Sequence, residues 1–283
     1  MNVRILSWNI YHGRDFPPKP GGSEPGVPEG GWAWRFLGRP VAGPGYLRLN
    51  RDLFSEFGAF LAAADWDIAL LQEVPPRWIR RLARATRAEA RAVLTSRNWM
   101  RPLTSPVARL RPQLVGSWEG GCNLTLVRNG VPGLDGYREG IRIVGHRKAT
   151  LTWRPERRAF SMVEFESGLC VANIHASTGV NAAADVMRAA RLATSRAGER
   201  PLLLGGDFNA RPRSSDVFDR LKEEFGLTGV TAPGSIDHLL VRNATVTEAA
   251  VAWPAGRRDV PDPDSGLKIR LSDHAPVAAR IRI

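Results

Sequence analysis

The segment Leu202–Asn209 constrains the fold of this chain more than any other stretch. A run of leucines is followed by two glycines and then by Asp207 and Asn209. Such an apolar run is typical of a buried strand, and the glycines allow a backbone or a ligand to approach closely. Polar side chains at the tip of a rigid strand are typical of a functional site. Taken singly, however, the segment is better explained as a turn in which both side chains bond loop amides.

Other apolar segments of the chain end in the same way, and together they overturn that explanation. Glu, Asp, Asn and His at the ends of separate strands predict one shared site for a divalent cation and an anionic substrate. Oxygen ligands of this kind suit Mg²⁺ or Mn²⁺ rather than a thiolate-bound metal. The segments are Ile5–Asn9, Ile68–Glu73, Val171–His175, Ser235–Asp237 and Leu271–His274.

The chain resembles the endonuclease/exonuclease/phosphatase superfamily from Val3 to Ile283. Seven short motifs carry this resemblance and occur in the family's order: Ser7-Trp8-Asn9, Leu71-Gln72-Glu73, Gly121–Leu124, Asn173–His175, Gly206–Asn209, Ser235–Asp237 and Ser272–His274. The resemblance implies an α/β (α+β) four-layer sandwich, with two mostly antiparallel sheets packed face to face and helices on the outside. The abundance of short strands relative to helices predicts the same architecture.

The resemblance also implies metal-dependent hydrolysis of a phosphoester, most simply a phosphodiester. A divalent metal would neutralise the phosphate oxygens and stabilise the leaving group. Glu73 is the principal expected ligand of Mg²⁺ or Mn²⁺. Asn9 and Asp273 are expected to complete the metal's surroundings, either directly or through water.

Five residues are expected to carry the catalytic chemistry. Asp237 is expected to hydrogen-bond one imidazole nitrogen of His274 and thereby fix its tautomer. Either Asp207 or His274 can serve as the base that activates water, and the sequence leaves this choice open. The predicted catalytic residues are His175, Asp207, Asn209, Asp237 and His274.

Further residues are expected to bind substrate. Asn173 and Asn123 match family positions, and His12 is expected at the rim of the cleft. Residues 13–48 form a Pro/Gly-rich insertion in what we interpret as a single domain, 1–283. Trp32 and Trp34 in this insertion either dock against the body of the protein or form an apolar wall for substrate.

The residue patterns predict the following elements. Strands are expected at 3–9, 67–73, 121–128, 141–153, 159–165, 169–175, 201–206, 235–242, 245–253 and 274–283. Helices are expected at 50–64, 76–88, 181–197 and 214–225, and residues 96–118 and 254–272 are expected to be irregular.

Composition limits the function less sharply. The formal net charge of +12 favours an anionic partner, with nucleic acid preferred. Only four of the 40 basic residues are Lys, which is typical of a genomic codon bias and weakens that preference. Cys122 and Cys170 lie in apolar strand patterns and predict buried thiols. A cytoplasmic location is expected, because neither a secretory signal nor a membrane span is recognisable.

Two other functions stay open at this stage. A sphingomyelinase-like or other phospholipid phosphodiesterase would use the same residues. A non-catalytic binding module with the same fold is also possible, although the complete set of catalytic residue types argues against it. Val74-Pro75-Pro76 follows the Glu73 motif and departs from the Thr-Lys usual in apurinic endonucleases, so that subfamily is disfavoured.

Overall fold

A computed structural model describes residues 1–24, 26–128, 139–229 and 231–283. In this part of the chain the strands are β1 (Asn2–Asn9), β2 (Val41–Gly43), β3 (Tyr46–Arg48), β4 (Ile68–Val74), β5 (Ala88–Leu94), β6 (Cys122–Arg128), β7 (Ile143–Thr152), β8 (Arg158–Phe165), β9 (Cys170–His175), β10 (Leu202–Asp207), β11 (Asp237–Arg242), β12 (Thr245–Ala252), β13 (Asp259–Pro261), β14 (Lys268–Arg270) and β15 (Val277–Arg282). The α-helices are α1 (Phe54–Ala63), α2 (Ile79–Ala85), α3 (Arg101–Leu110), α4 (Pro112–Val115), α5 (Ala182–Ala197) and α6 (Val217–Phe225).

Two large sheets form the centre of the fold. The first has the strand order β12-β15-β1-β4-β6-β5, and the second has the order β11-β10-β9-β8-β7. Each is mostly antiparallel and contains one parallel pair, β1 with β4 and β9 with β10. The predicted sandwich of two mostly antiparallel sheets is confirmed.

The period-two alternation of apolar side chains explains why the sheets stack. In β1, Val3 and Ile5 pack into a core shared with Val171 and Leu203 of the second sheet. Leu6 and Trp8 lie on the other face of β1 and pack into a second core, between the first sheet and helix α1. Strands buried on both faces therefore form the two inner layers.

Helices supply the two outer layers. Helix α5 buries Val186, Ala189, Ala190 and Ala193 against the second sheet at helical spacing. Helix α1 covers the first sheet, and the Phe57 ring lies 5.1 Å from the ring of Trp8. None of the described helices is long and apolar enough to cross a bilayer. Both cysteines are buried free thiols, as predicted.

Several segments differ from the sequence prediction. Ala88–Leu94 was not predicted as a strand, because Ala, Glu and Arg favour helix, yet pairing with β6 determines its structure. Residues 96–118 were expected to be irregular but contain α3 and α4. Their prolines obscured these helices, although Pro is tolerated in a first helical turn.

A third, small sheet was also missed. It has the order β13-β14-β3-β2 and joins the 13–48 insertion to residues 254–272. Both regions were expected to lack regular structure. Position 25 of the insertion lies outside the described residues. The short strands of this sheet fix the ends of the insertion against the body of the protein.

The glycines of the Leu202–Asn209 segment are required by close packing. Gly206 has φ +134°, and a Cβ there would lie 2.0 Å from the carbonyl oxygen of Ile174. At Gly205 a Cβ would lie 2.6 Å from a methyl carbon of Leu239. Only glycine lets β10 approach its neighbours this closely before it delivers Asp207.

We predict that Gly206→Ala lowers the free energy of unfolding by about 3 kcal/mol or more, because it combines a backbone clash with a disfavoured φ. The matched control is Gly168→Ala, where φ is +86° but no atom lies within 4 Å of the new Cβ. That variant should lose only about 1–2 kcal/mol. Urea unfolding measures both, and equal losses would contradict the close-packing explanation.

Candidate active site

The register of the second sheet aligns three motif residues side by side. Asp207 at the end of β10 is the Cα partner of His175 on β9 and of Asp237 on β11. Adjacent strands lie about 4.8 Å apart, so residues in register at strand ends project polar groups into one small volume. The predicted convergence of these three strand ends is therefore observed.

A β-bulge directs Glu73 into the site. Leu71 pairs with Leu124 and Val74 pairs with Cys122, so β4 carries one extra residue relative to β6. Glu73 lies at this irregularity with φ +54°. Bulges redirect side chains and are common beside active sites. Gln72 keeps the inward direction, while Glu73 turns into the cleft.

Asn9 connects the two large sheets at the site. Its Nδ2 donates to Asp207 Oδ2 at 3.0 Å, and its Oδ1 accepts from the amide of Tyr11 at 3.0 Å. The backbone carbonyl of Asn9 accepts from Ser272 Oγ at 2.6 Å. The first, fifth and last motifs of the sequence are thus joined by direct hydrogen bonds.

The last motif is fixed by its backbone. The carbonyl oxygen of His274 accepts from Trp8 Nε1 at 2.9 Å and from Arg258 Nη1 at 3.1 Å. His274 Nδ1 lies 2.8 Å from Asp237 Oδ2. This hydrogen bond is the one expected from the sequence, and it leaves His274 Nε2 directed toward Asp207 Oδ2, 3.8 Å away.

A cleft of about 240 Å³ opens beside this group, and Glu73 and His175 are the motif residues that line it. His12 lies in its wall, as expected, and its Nε2 is 3.4 Å from Glu73 Oε2. The lining residues are Tyr11, His12, Arg14, Glu73, Thr95, Ser96, Ser117, Glu156, Arg158 and His175.

Glu73 is an ionised carboxylate in this cleft. Burial acts to raise its pKa, but the neighbouring His12, His175 and Arg14 outweigh burial and lower the pKa to about 2. Arg14 is the group among these three that is always charged. An ionised carboxylate facing a cleft is a suitable ligand for a hard cation.

His175 is neutral at neutral pH. Burial and the adjacent Arg158 guanidinium lower its pKa to about 3. Arg158 Nη1 lies 3.0 Å from His175 Nδ1 and 3.1 Å from Nε2, so the guanidinium faces the ring edge between the two nitrogens. We assign the single proton of the neutral ring to Nε2, because that nitrogen also faces two carboxylates. Nε2 lies 3.5 Å from Asp207 Oδ2 and 3.9 Å from Glu73 Oε1. His175 therefore stands between the two carboxylates.

Asp207 and His274 have shifted pKa values in the same direction. Burial and the nearby Asp237 carboxylate raise the pKa of Asp207. Burial acts to lower the pKa of His274, but its hydrogen bond to Asp237 outweighs this and the pKa rises to about 10. At neutral pH His274 is an imidazolium, and Asp207 binds a proton more readily than an ordinary carboxylate does.

The described residues can hold a metal ion. The possible ligand atoms of Asp207, Asp237 and His274 lie within 4.8 Å of one another. Asp237 Oδ1 is buried and has no hydrogen-bond partner among the described residues. Two buried carboxylates within 4.8 Å of each other, one of them with an unpaired oxygen, fit a nearby cation. The predicted ligand Asp273 is exposed, and its Oδ1 lies 3.4 Å from Ser272 Oγ.

The two asparagines expected to bind substrate occupy other positions. Asn123 and Asn173 are completely buried. Asn123 Nδ2 donates to the carbonyl of Ala159 on the second sheet. Asn173 Nδ2 donates to the carbonyls of Leu71 and Leu124 on the first sheet. Both side chains join the sheets behind the site, so neither faces a substrate.

The remaining predicted residues lie near the surface. Asn209 follows Asp207, and its Nδ2 donates to the carbonyl of Ala176 at 3.0 Å. Trp34 is partly buried, and a Cβ at Gly30 would lie 2.3 Å from its ring. Trp32 is exposed. Trp34 therefore packs within the insertion, whereas a substrate contact of the exposed Trp32 stays a prediction.

Arg158 is one of several cleft residues that the sequence patterns did not predict. It opens β8 rather than ending a strand, so a pattern of polar residues at strand ends does not include it. The sequence signal that could have indicated Arg158 is a charged residue at the start of the apolar strand β8, which pairs with β9. Arg158 is also paired with Glu156 Oε2 at 3.0 Å, which fixes the guanidinium beside His175.

Carboxylates and imidazoles grouped at one edge of a two-sheet sandwich define a metal-assisted hydrolase of phosphoesters. The chain belongs to the endonuclease/exonuclease/phosphatase family, whose model matches residues 6–274. It is therefore a phosphoester hydrolase of that family. Comparison with curated protein sequences gave no match.

Solved structures share the fold at low sequence identity. A family member from Bacteroides vulgatus is 16% identical with a TM-score of 0.59, over 100% of this chain and 99% of the other. A mannosyl-6-phosphatase from Bacteroides thetaiotaomicron is 15% identical with a TM-score of 0.60, over 99% and 100%. The catalytic domain of human Nocturnin, with a bound sulfate, is 16% identical with a TM-score of 0.57, over 99% and 94%.

We predict that Asn173→Ala lowers the free energy of unfolding by about 2–3 kcal/mol, because it leaves two buried carbonyls and the Gln72 amide without their partner. Asn181→Ala is the matched control, since Asn181 is exposed and makes no capping bond to α5. Urea unfolding measures both variants. An unchanged stability of Asn173→Ala would contradict the sheet-joining role.

Proposed function

We propose that this chain is a phosphodiesterase that requires Mg²⁺ or Mn²⁺. The observation that carries the proposal is the position of Asp207, whose carboxylate contacts Asn9 from one sheet and approaches His175 and His274 from two further motifs. A carboxylate held in this way can accept a proton from a water molecule aimed at phosphorus. His274, as an imidazolium, can donate to the phosphate oxygens.

Glu73 is our proposed metal ligand, with Asn9 and Asp273 completing the surroundings of the ion. When bound, the metal supplies charge neutralisation of the phosphate and stabilisation of the leaving oxygen. The Asp207, Asp237 and His274 group is less suitable, because a protonated His274 cannot ligate and its Nδ1 is already bonded to Asp237. We assign that group to proton transfer and phosphate binding.

The remaining residues would position the substrate. Arg14 and Arg158 in the cleft are matched by Glu73 and Glu156. Because the positive and negative charges of these four cleft residues cancel, the cleft suits a singly charged diester better than a doubly charged monoester. The neutral His175 would donate a hydrogen bond from Nε2, and Asn209 would help to hold the water or the phosphate.

Different observations support nucleic acid and phospholipid as the substrate class. The net charge of +12 favours nucleic acid, which was preferred from the sequence. Exposed aromatic rings near the cleft suit either class, since they can stack on bases or enter a bilayer surface. The exposed leucines of α3 favour a phospholipid, because an aliphatic side chain can enter a bilayer but offers no stacking surface to bases. Phospholipid is therefore the better supported of the two, and nucleic acid is the second candidate.

We expect hydrolysis of bis(p-nitrophenyl) phosphate to stop in excess EDTA and to return with Mn²⁺. Calorimetric titration with Mn²⁺ then tests which carboxylate binds the ion. Glu73→Gln should abolish binding, because it removes the charged ligand, whereas Asp237→Asn should bind nearly as well as the parent. The reverse result would assign the metal to the Asp207, Asp237 and His274 group, and hydrolysis undiminished by EDTA would refute metal dependence.

His274→Ala should lower kcat by about 10²–10⁴-fold, since it removes a group that acts in the transition state. Asp237→Asn should also lower kcat, because Asp237 maintains the charge and tautomer of His274. The double variant should be within about threefold of His274→Ala, because residues that act as a unit give non-additive losses. Steady-state kinetics measures all three, and fully multiplicative losses would show that the pair does not work together.

A further inference from the structure

Helix α3 carries apolar side chains on its outer face. Leu103 and Leu110 are 73% and 68% exposed, while Thr104 and Ala108 on the other face are buried. Trp99, four residues before Leu103, is also exposed. A surface helix of a globular protein normally has the opposite arrangement, with its apolar stripe directed at the core. The outer face of α3 is therefore available to a partner.

The insertion extends this apolar surface. Trp32 and Phe36 are exposed on the helical turn before Gly38. One guanidinium, that of Arg111, donates to the carbonyl oxygens of Leu110 and Leu37 at 2.6 and 2.5 Å. The two segments are thus held edge to edge. We call the combined surface the apolar rim, which consists of Trp32, Phe36, Trp99, Leu103, Leu110 and Trp118.

The apolar rim borders the mouth of the candidate active site. Residues 96–118 leave the body of the protein at Ser96 and return at Ser117, and both residues line the cleft. Arg14, another lining residue, donates to Gln113 Oε1 at 3.3 Å. Because both of its ends belong to the cleft wall, the segment that carries α3 forms part of the border of the cleft.

The charge of the rim segments identifies the kind of partner. Residues 30–51 and 96–118 together contain eight Arg and no Asp or Glu, and two of these Arg form ion pairs with residues outside the two ranges, Arg51 with Glu56 and Arg97 with Glu156. Exposed Trp and Leu combined with Arg are the composition of surfaces that lie in the headgroup region of an anionic bilayer. A second copy of the chain is a poor partner, because a symmetric contact would bring the two sets of arginines together. Contiguous exposed apolar surface of this kind marks an interaction site.

We propose that the apolar rim docks onto the surface of an anionic phospholipid bilayer. The Trp and Leu side chains enter the boundary between headgroups and acyl chains, and the arginines contact lipid phosphates. Docking would present lipid headgroups to the cleft. The identity of the substrate as a phospholipid rests on the proposed function, whereas docking itself needs neither metal nor turnover.

The test is sedimentation of the full chain with phospholipid vesicles in EDTA. The parent should bind vesicles containing about a third phosphatidylserine and bind phosphatidylcholine vesicles much more weakly. Leu103→Ser combined with Leu110→Ser should weaken binding by about tenfold or more, because two exposed leucines no longer enter the bilayer. The matched control combines Val144→Ser with Val251→Ser, which removes two residues of 56% and 59% exposure outside the rim and should bind like the parent.

Three outcomes would overturn docking. In the first, the parent does not sediment with anionic vesicles. In the second, the leucine double variant binds vesicles as tightly as the parent. In the third, sedimentation velocity shows that the parent is a dimer and the double variant is a monomer. If the leucine double variant loses binding to a single-stranded oligonucleotide but binds vesicles like the parent, the rim is assigned to nucleic acid. The double variant should keep the parental melting temperature and the parental rate on bis(p-nitrophenyl) phosphate. Vesicle binding by a parent that lacks this activity would refute the catalytic proposal alone.

Discussion

The geometry of the site depends on buried amide hydrogen bonds that join the two large sheets. Asn173 donates to carbonyls on β4 and β6 and accepts from Gln72 Nε2 at 2.9 Å. A buried polar group without a partner is costly, so the sheets cannot slide or separate here without losing several bonds at once. The bond from Asn9 to Asp207 lies at the same edge. Apolar contacts alone would permit small shifts that these directional bonds exclude.

The elements with strong period-two or helical patterns were predicted to within a few residues of their observed ends. The exceptions have physical causes. β5 is composed of residues that favour helix, and only its long-range pairing with β6 makes it a strand. The third sheet consists of strands three residues long, such as β2 and β3, which are too short to show a pattern. Tertiary contacts determine the structure of β5 and of the third sheet, and a local sequence pattern does not encode those contacts.

The catalytic positions were predictable because polar residues end apolar strands, and sheet register then aligns them. The sequence could not show which face each side chain takes. Asn173 lies two residues before His175 in β9 and on the same face, but it lies deeper between the sheets, where its amide bonds the carbonyl of Leu124 instead of substrate. The bulge at Glu73 reverses the alternation expected from its neighbours. Arg158 was missed because it begins a strand and reaches the site only through the pairing of β8 with β9.

Several residues at the site have left-handed backbone conformations. Tyr11, His12, Glu73, Asn209 and Ser272 all have φ between +48° and +59°. For side chains other than glycine and asparagine this conformation costs on the order of 1–3 kcal/mol at each position. Glycine at position 73 would relieve this strain but would remove the carboxylate that faces the cleft. Glycine at position 272 would remove the hydroxyl that bonds the carbonyl of Asn9 and the amide of His274. The strain at these two positions is therefore a stability cost imposed by the placement of the polar groups at the site.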